Sequence, residues 1–359
     1  MLKKVALGFM ERGRQGGRVP DTRRTDAVLL LVALVWGSSY LSAQTAAAAL
    51  PVLVVLFARY ALSALACLGL VAAARRGPHG RTRGWTREEL RAGVPLGVTQ
   101  AAVLLIETYG VAHTSAANAG LIISLTIVLT PLLDRSGHRG GLPPVFFAAA
   151  GVCVLAVGLL MAGNGFHALR LGDLLMLGAA VVRAAHVVLV GRLTAGRTIR
   201  PLQLTAVQTL VGSALFLAPA ARDLPDLAHV GLAAWAQLLY LALFCSVFAF
   251  LAQTWAVQRT SASRASLLLG TEPIWAAAVG IGLAGEHFTV LTALGAALMV
   301  TGTYWGQAVE RAHRGTAPRA KDPKIPHHTE EDPVCPPGPA HRSRAPEQAI
   351  PGGPRDRSG

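Results

Sequence analysis

The sequence predicts an all-α integral membrane protein, with ten transmembrane helices arranged as two inverted five-helix repeats. Three observations carry this. Hydrophobic residues make up 52% and charged residues only 14%, where a soluble domain carries about 25% charged. Ten apolar runs recur, each near the roughly 20 residues that a bilayer-spanning helix needs; they fall near 26–44, 50–74, 92–113, 115–133, 142–163, 172–194, 201–221, 231–257, 264–285 and 288–309. The last five runs also echo the first five. "TDAVLLLVALVWGSSYL" in the first run and "GDLLMLGAAVVRAAHVV" in the sixth both carry an aspartate in second place. Each block closes with a proline-containing run and then a glycine-bearing one. Because five is odd, consecutive copies cross the membrane in opposite senses.

The chain divides into a basic leader at 1–24, repeats at 25–163 and 170–309, and a tail at 310–359. "MLKKVALGFM" has the basic start of a secretory signal, but its apolar part is shorter than the 7–15 residues a signal needs. The leader therefore reads as cytoplasmic. Arginines and lysines resist translocation, and here they gather in the leader and in the loops after the second, fourth, sixth and eighth runs, including Arg75, Arg76, Arg139, Arg192, Arg200 and Arg264. Both termini are expected on the cytoplasmic side of the cell membrane. The net charge of +14 is spread between apolar segments without aromatic platforms, so no nucleic-acid partner is expected.

Taken in order, the first run presents Trp36 and Tyr40 on one face, and the second carries Arg59. Before the third run, "GWTREEL" puts Trp85 ahead of a Thr86-x-x-Glu89 capping box. Gln100, Val103 and Glu107 then recur at helical spacing on that run, as Ser246, Phe250 and Gln253 do on the eighth. Pro131 and Asp134 interrupt the end of the fourth run, and Asp223 and Asp226 lie in an outer loop. On the tenth, Gly302 and Gly306 form a GxxxG, the pattern of close packing with a neighbouring helix or a homodimer partner. The tail is rich in Pro, Gly and mixed charge and cannot bury enough apolar surface to order itself; its His327 and His328 read as a solvated pair. Cys67, Cys153, Cys245 and Cys335 lack the spacing of a zinc site or a disulfide framework. No metal and no cofactor are expected.

The sixth run raises the sharpest question, because Arg183 stands near its centre. About 11 residues from either end, at 1.5 Å rise, it lies roughly 16 Å deep, beyond the reach of snorkelling. An arginine at that depth costs about 2.5–3.5 kcal/mol on insertion scales, so it must face a partner or a wet cavity. Glu272, just before Pro273 in the ninth run, lies at comparable depth and is the expected partner. Arg59 and Glu107 share a different level and are expected to pair likewise. His186 follows Arg183 by one turn and would titrate near neutrality only beside a carboxylate. Candidate substrate or coupling residues are therefore Arg183, His186, Glu107, Glu272, Gln253, Trp36, Tyr40, Gln100 and Arg59. A central arginine favours anionic or zwitterionic solutes, a preference that a salt bridge would cancel.

Several of these segments carry a resemblance. "WGSSY", the arginine of the second run, "HTSAANAGLIISLTIVLTPLL", "GDLLMLGAA", "SASRASLLLGTEPIWAA" and "GAALMVTG" resemble, in order and position, the EamA-type ten-helix branch of the drug/metabolite transporter superfamily over residues 25–309. The resemblance implies a carrier for amino acids, metabolites or toxic compounds, often acting outward, with a central substrate cavity. Arg183 departs from it, since that pattern has a tryptophan or other large apolar residue there. No G-x-x-x-x-G-K-[ST] motif occurs, so the expected energy source is a gradient of protons or another ion. The rival readings are a membrane-embedded enzyme such as a lipid-modifying transferase, for which HExxH, CxxC and GxSxG are all missing, and a non-transporting scaffold. The expectation is a transporter and not an enzyme, partnered by a small-molecule substrate and the lipid bilayer.

Overall fold

In a computed structural model the described residues are 22–76, 84–114, 116–134, 143–163, 171–283 and 289–316. Among them the chain is helical, with no strand. The first three spans are single helices, α1 (Thr22–Ala49), α2 (Val52–Arg75) and α3 (Arg87–His113). The fourth is broken into α4 (Ala116–Ile123) and α5 (Thr126–Leu133), and the fifth is α6 (Pro144–Gly163). Spans six and seven are α7 (Leu171–Thr194) and α8 (Pro201–Ala220). The eighth is α9 (Leu232–Ala242) and α10 (Ala249–Val257), joined by a π-helical segment at Leu243–Phe248. The ninth is broken into α11 (Ala262–Leu269) and α12 (Glu272–Leu283), and the tenth is α13 (Val290–Thr316). Six of these spans, α1, α2, α3, α7, α8 and the eighth, are long and apolar enough to cross a membrane among the described residues.

Most boundaries follow from local chemistry. Pro51 cannot donate to the preceding turn, so α1 ends before it and α2 begins after it. The expected capping box starts α3: the Thr86 hydroxyl accepts from the Glu89 amide at 3.2 Å, and the Thr86 amide donates to Glu89 Oε2 at 3.0 Å. The fourth span ends at Leu133, the expected bound, with Asp134 as its C-cap, and Pro131 does not break it. The proline is carried inside α5, and the break falls at Ser124 and Leu125. Most of the leader, 1–21, and most of the tail lie outside the described residues; the leader's last three residues open α1, and α13 continues about two turns past the expected end of the tenth run.

The packing is invariant when the two repeats are exchanged. Span one packs on spans eight and nine, and its counterpart, span six, packs on spans three and four. Spans two and seven pack on each other, as do spans five and ten. The expected two-repeat inverted architecture is thus built from contacts between the repeats. The main core gathers Trp36, Tyr40, Leu104, Met176 and Phe250 around spans one, three, six and eight. A second, smaller core joins α6 and α13 to Ile127 and Leu267 of the broken spans. Large apolar side chains such as Leu65, Leu155 and Leu177 remain exposed, as a bilayer solvent requires. The GxxxG of α13 is used within the chain. A Cβ on Gly302 would meet Cys153 Sγ at 2.8 Å, and one on Gly306 would meet Leu267 at 2.9 Å.

The repeated aspartates also acquire a role, since each ties the first helix of its own repeat to the start of the other repeat's fourth helix. Asp26 accepts from Arg264 Nε at 3.0 Å and Nη2 at 2.6 Å, while Asp173 accepts from the Thr114 hydroxyl at 2.5 Å. Two further arginines of the second repeat reach the first on the same face as Arg264. Arg200 binds Glu89 at 2.7 and 2.9 Å and the Gly84 carbonyl at 3.0 Å, and Arg192 donates to the Leu133 carbonyl at 2.9 Å. The hydrogen bond to Glu89 raises the pKa of the Arg200 guanidinium.

Candidate functional site

The site forms where α1 crosses the broken ninth span, and Gly37 of "WGSSY" permits that crossing. A Cβ there would lie 2.7 Å from the Glu272 carbonyl oxygen and 2.7 Å from Trp275 Cβ. The close approach sets Trp36 and Tyr40, one turn apart on α1, beside the first residue of α12, Glu272. Pro273 in the opening turn of α12 lacks an amide donor and is tolerated there because that donor would be unsatisfied in any case. The helix can therefore start inside the bundle with its carboxylate buried.

Arg183 of α7 meets this group from the second repeat, to which Glu272 also belongs, while Trp36 and Tyr40 come from the first. Its Nη1 lies 3.2 Å from Glu272 Oε2, so the pair expected from depth is made. The Tyr40 hydroxyl donates to Glu272 Oε1 at 2.5 Å, and the Arg183 guanidinium carbon sits 4.3 Å from the centre of the Trp36 ring. All four side chains are buried, Arg183 being the most exposed at 9%. The guanidinium thus faces protein and not acyl chains. A buried charge pair holds together only when its remaining donors and acceptors are met. Here the tyrosine serves the second carboxylate oxygen and the indole face covers the cation.

Beside this cluster lies a second polar level. The π segment lets the Ala249 amide bond to Phe244 and Ser246 and skip Cys245. Trp36 Nε1 donates to the freed Cys245 carbonyl at 2.9 Å, and Arg59 Nη2 approaches it at 3.5 Å. Arg59 Nε donates to the Ser246 hydroxyl at 2.7 Å, and that hydroxyl donates in turn to the Leu241 carbonyl at 3.0 Å. Arg59 therefore does not pair with Glu107 as the sequence suggested, because the π segment offers it nearer acceptors. Glu107 is buried, and its Oε2 meets no donor among the described residues. Its helix, α3, packs against both α7, which carries Arg183, and α1, which carries Tyr40.

The remaining candidates separate. His186 is buried with Nδ1 2.8 Å from the Thr99 hydroxyl, a neutral partner and not a carboxylate. That hydroxyl also donates to the carbonyls of Pro95 and Leu96, so the histidine ties α7 to α3. Gln100 and Gln253 are buried, and neither hydrogen bonds to the cluster among the described residues. The sequence reading missed the Cys245 carbonyl and the Asp26 and Asp173 ties. A signal for the Asp173 tie was present: "TSA" occurs at Thr114–Ala116 and again at Thr260–Ala262, although the Asp26 tie is made by Arg264, just beyond the second triplet. The register that superposes these triplets also superposes Glu107 on Gln253 and Gln100 on Ser246.

A many-spanning helical membrane protein made of two inverted repeats, with discontinuous helices meeting at an internal ion pair, has the construction of a membrane carrier. The profile of the EamA-like transporter family matches residues 23–162 and 170–305, one match per repeat. The chain belongs to that family, and it is a membrane transporter. It is 25% identical over 293 residues to an uncharacterized transporter of Archaeoglobus fulgidus, covering 80% of this chain and 87% of that one. A crystal structure of a protein 17% identical in sequence is similar in fold, with a TM-score of 0.65 over 79% of this chain and 98% of the other.

Proposed function

We propose that this chain is a secondary transporter that carries small polar metabolites, amino acids or toxic compounds across the cytoplasmic membrane by alternating access, acting as an exporter coupled to an ion gradient. The observation that carries the reading is the Arg183–Glu272–Tyr40 group, buried where the first helices of the two repeats converge on a broken span. Ionisable residues at membrane depth are expensive and mark solute or ion paths. Helices that stop and restart there offer backbone groups to a bound solute.

The exchange-invariant packing supports the rocking step. Contacts that map onto themselves when the repeats are swapped allow two arrangements of similar energy, one open to each face. The crowding of arginines on the face where α1 begins supports placing both termini in the cytoplasm. Coupling would come from a carboxylate, Glu107 or Glu272, that exchanges a proton as solute binds and leaves.

The test is flux in proteoliposomes under an imposed proton gradient, with Glu107→Gln and Glu272→Gln made singly. At least one variant should lose acceleration by the gradient while still exchanging solute. Undiminished coupling in both variants would remove the carboxylate mechanism.

A further inference from the structure

The buried cluster has the parts of a cation receptor, and its occupant comes from the chain itself. The Trp36 ring offers its face, Glu272 offers a carboxylate, and Tyr40 holds that carboxylate in place through its second oxygen. A ring face flanked by a carboxylate is the chemistry by which proteins take up organic cations. The repeat shows where the occupant arises. The register that superposes Asp26 on Asp173 also superposes Trp36 on Arg183, so the two meet as equivalent positions of the two repeats. One copy supplies the aromatic wall and the other a guanidinium that lies against it.

Charge in the neighbourhood points the same way. Glu272 pairs with Arg183, while the second buried arginine of the region, Arg59, is engaged by the Ser246 hydroxyl and the Cys245 carbonyl. Glu107 keeps one buried oxygen without a donor among the described residues. Arg183 is committed to Glu272 and the indole, so it is poorly disposed to receive an anionic solute.

We propose that Trp36, Tyr40 and Glu272 form a binding box for an organic cation, a guanidinium or alkylammonium solute, and that the Arg183 side chain is a tethered competitor occupying the box until such a solute displaces it. The proposal rests on the carrier reading above and names its substrate class. A short tether holds its group at an effective concentration of about millimolar or more, so removing it frees the box for a dissolved cation.

The experiment uses the purified full chain in detergent, with methylguanidinium chloride as the cationic probe and sodium acetate as the anionic one, at matched ionic strength. Binding is read by equilibrium dialysis and by thermal stabilisation. Arg183→Ala and Arg183→Gln should each bind methylguanidinium about tenfold or more tightly than the unaltered protein, with acetate binding unchanged. Trp36→Leu placed on Arg183→Gln should remove the gain. Arg183→Gln keeps much of the side-chain length and a donor for Glu272, so it serves where Arg183→Ala fails to fold. No gain for the cation in a folded variant, or loss of acetate binding in its place, overturns the proposal. Because binding is measured at equilibrium without a gradient, a chain that passes and moves no solute sinks only the carrier reading. One that moves solute but shows no gain sinks only the box.

Discussion

Replacing Arg183 by alanine should be among the most damaging single changes available within the membrane-spanning region. It leaves Glu272, 3% exposed, with Tyr40 as its side-chain donor, and it strips the guanidinium from the Trp36 face. Breaking a buried pair costs about 3–5 kcal/mol, and losing a desolvated cation–ring contact adds about 1–2 kcal/mol, so the total is about 4–7 kcal/mol. Against a folding free energy on the order of 5–15 kcal/mol, that approaches the limit of stability. Most of the loss comes from the stranded carboxylate, so the double change Arg183→Ala with Glu272→Gln should recover about 1–3 kcal/mol relative to Arg183→Ala alone. The assay is reversible unfolding in mixed micelles, titrated with denaturing detergent and followed by tryptophan fluorescence. If the double variant is as unstable as the sum of the singles, within about 0.5 kcal/mol, the two groups do not stabilise each other and the reasoning fails.

Two other outcomes follow from the geometry. Gly37→Ala should lower the unfolding midpoint, by about 1–3 kcal/mol in free energy, and should slow flux, because its Cβ meets backbone at Glu272; a variant with both quantities unchanged would show that α1 can retreat from α12. Asp26→Arg and Arg264→Asp should each destabilise the chain, and the exchange of both charges should restore most of the loss in thermal unfolding; persistence of the loss in the swapped protein would mean that the contact is incidental.

What could be read in advance was whatever depends on depth, periodicity or repetition. Arg183 and Glu272 could be matched because each sits near the middle of a long apolar run and neither tolerates hydrocarbon alone. The Thr86–Glu89 cap was legible because a capping box is a local pattern whose partners lie within one turn. The π segment was not, since "LFCSVF" holds neither proline nor glycine and only the packing of Trp36 and Arg59 against it uses the freed Cys245 carbonyl. Depth alone pairs Arg59 with Glu107, whereas its acceptors are the Ser246 hydroxyl and that hidden carbonyl. The break at Ser124 was hidden for a related reason. Its repeat partner, Gly270, precedes an overt Glu-Pro, whereas "ISLT" reads as continuous helix. His186 could not be assigned because its partner, Thr99, comes from the opposite repeat.

The paired aspartates fasten the two ends of the molecule with different chemistry. By symmetry Asp26 and Asp173 do the same job, yet one is gripped by a two-pronged guanidinium and the other by a hydroxyl. A charge-assisted fork fixes direction as well as distance. Opening the seam between α1 and α11 therefore means parting two charge-assisted bonds at once, a cost that ionic strength and charge reversal can tune.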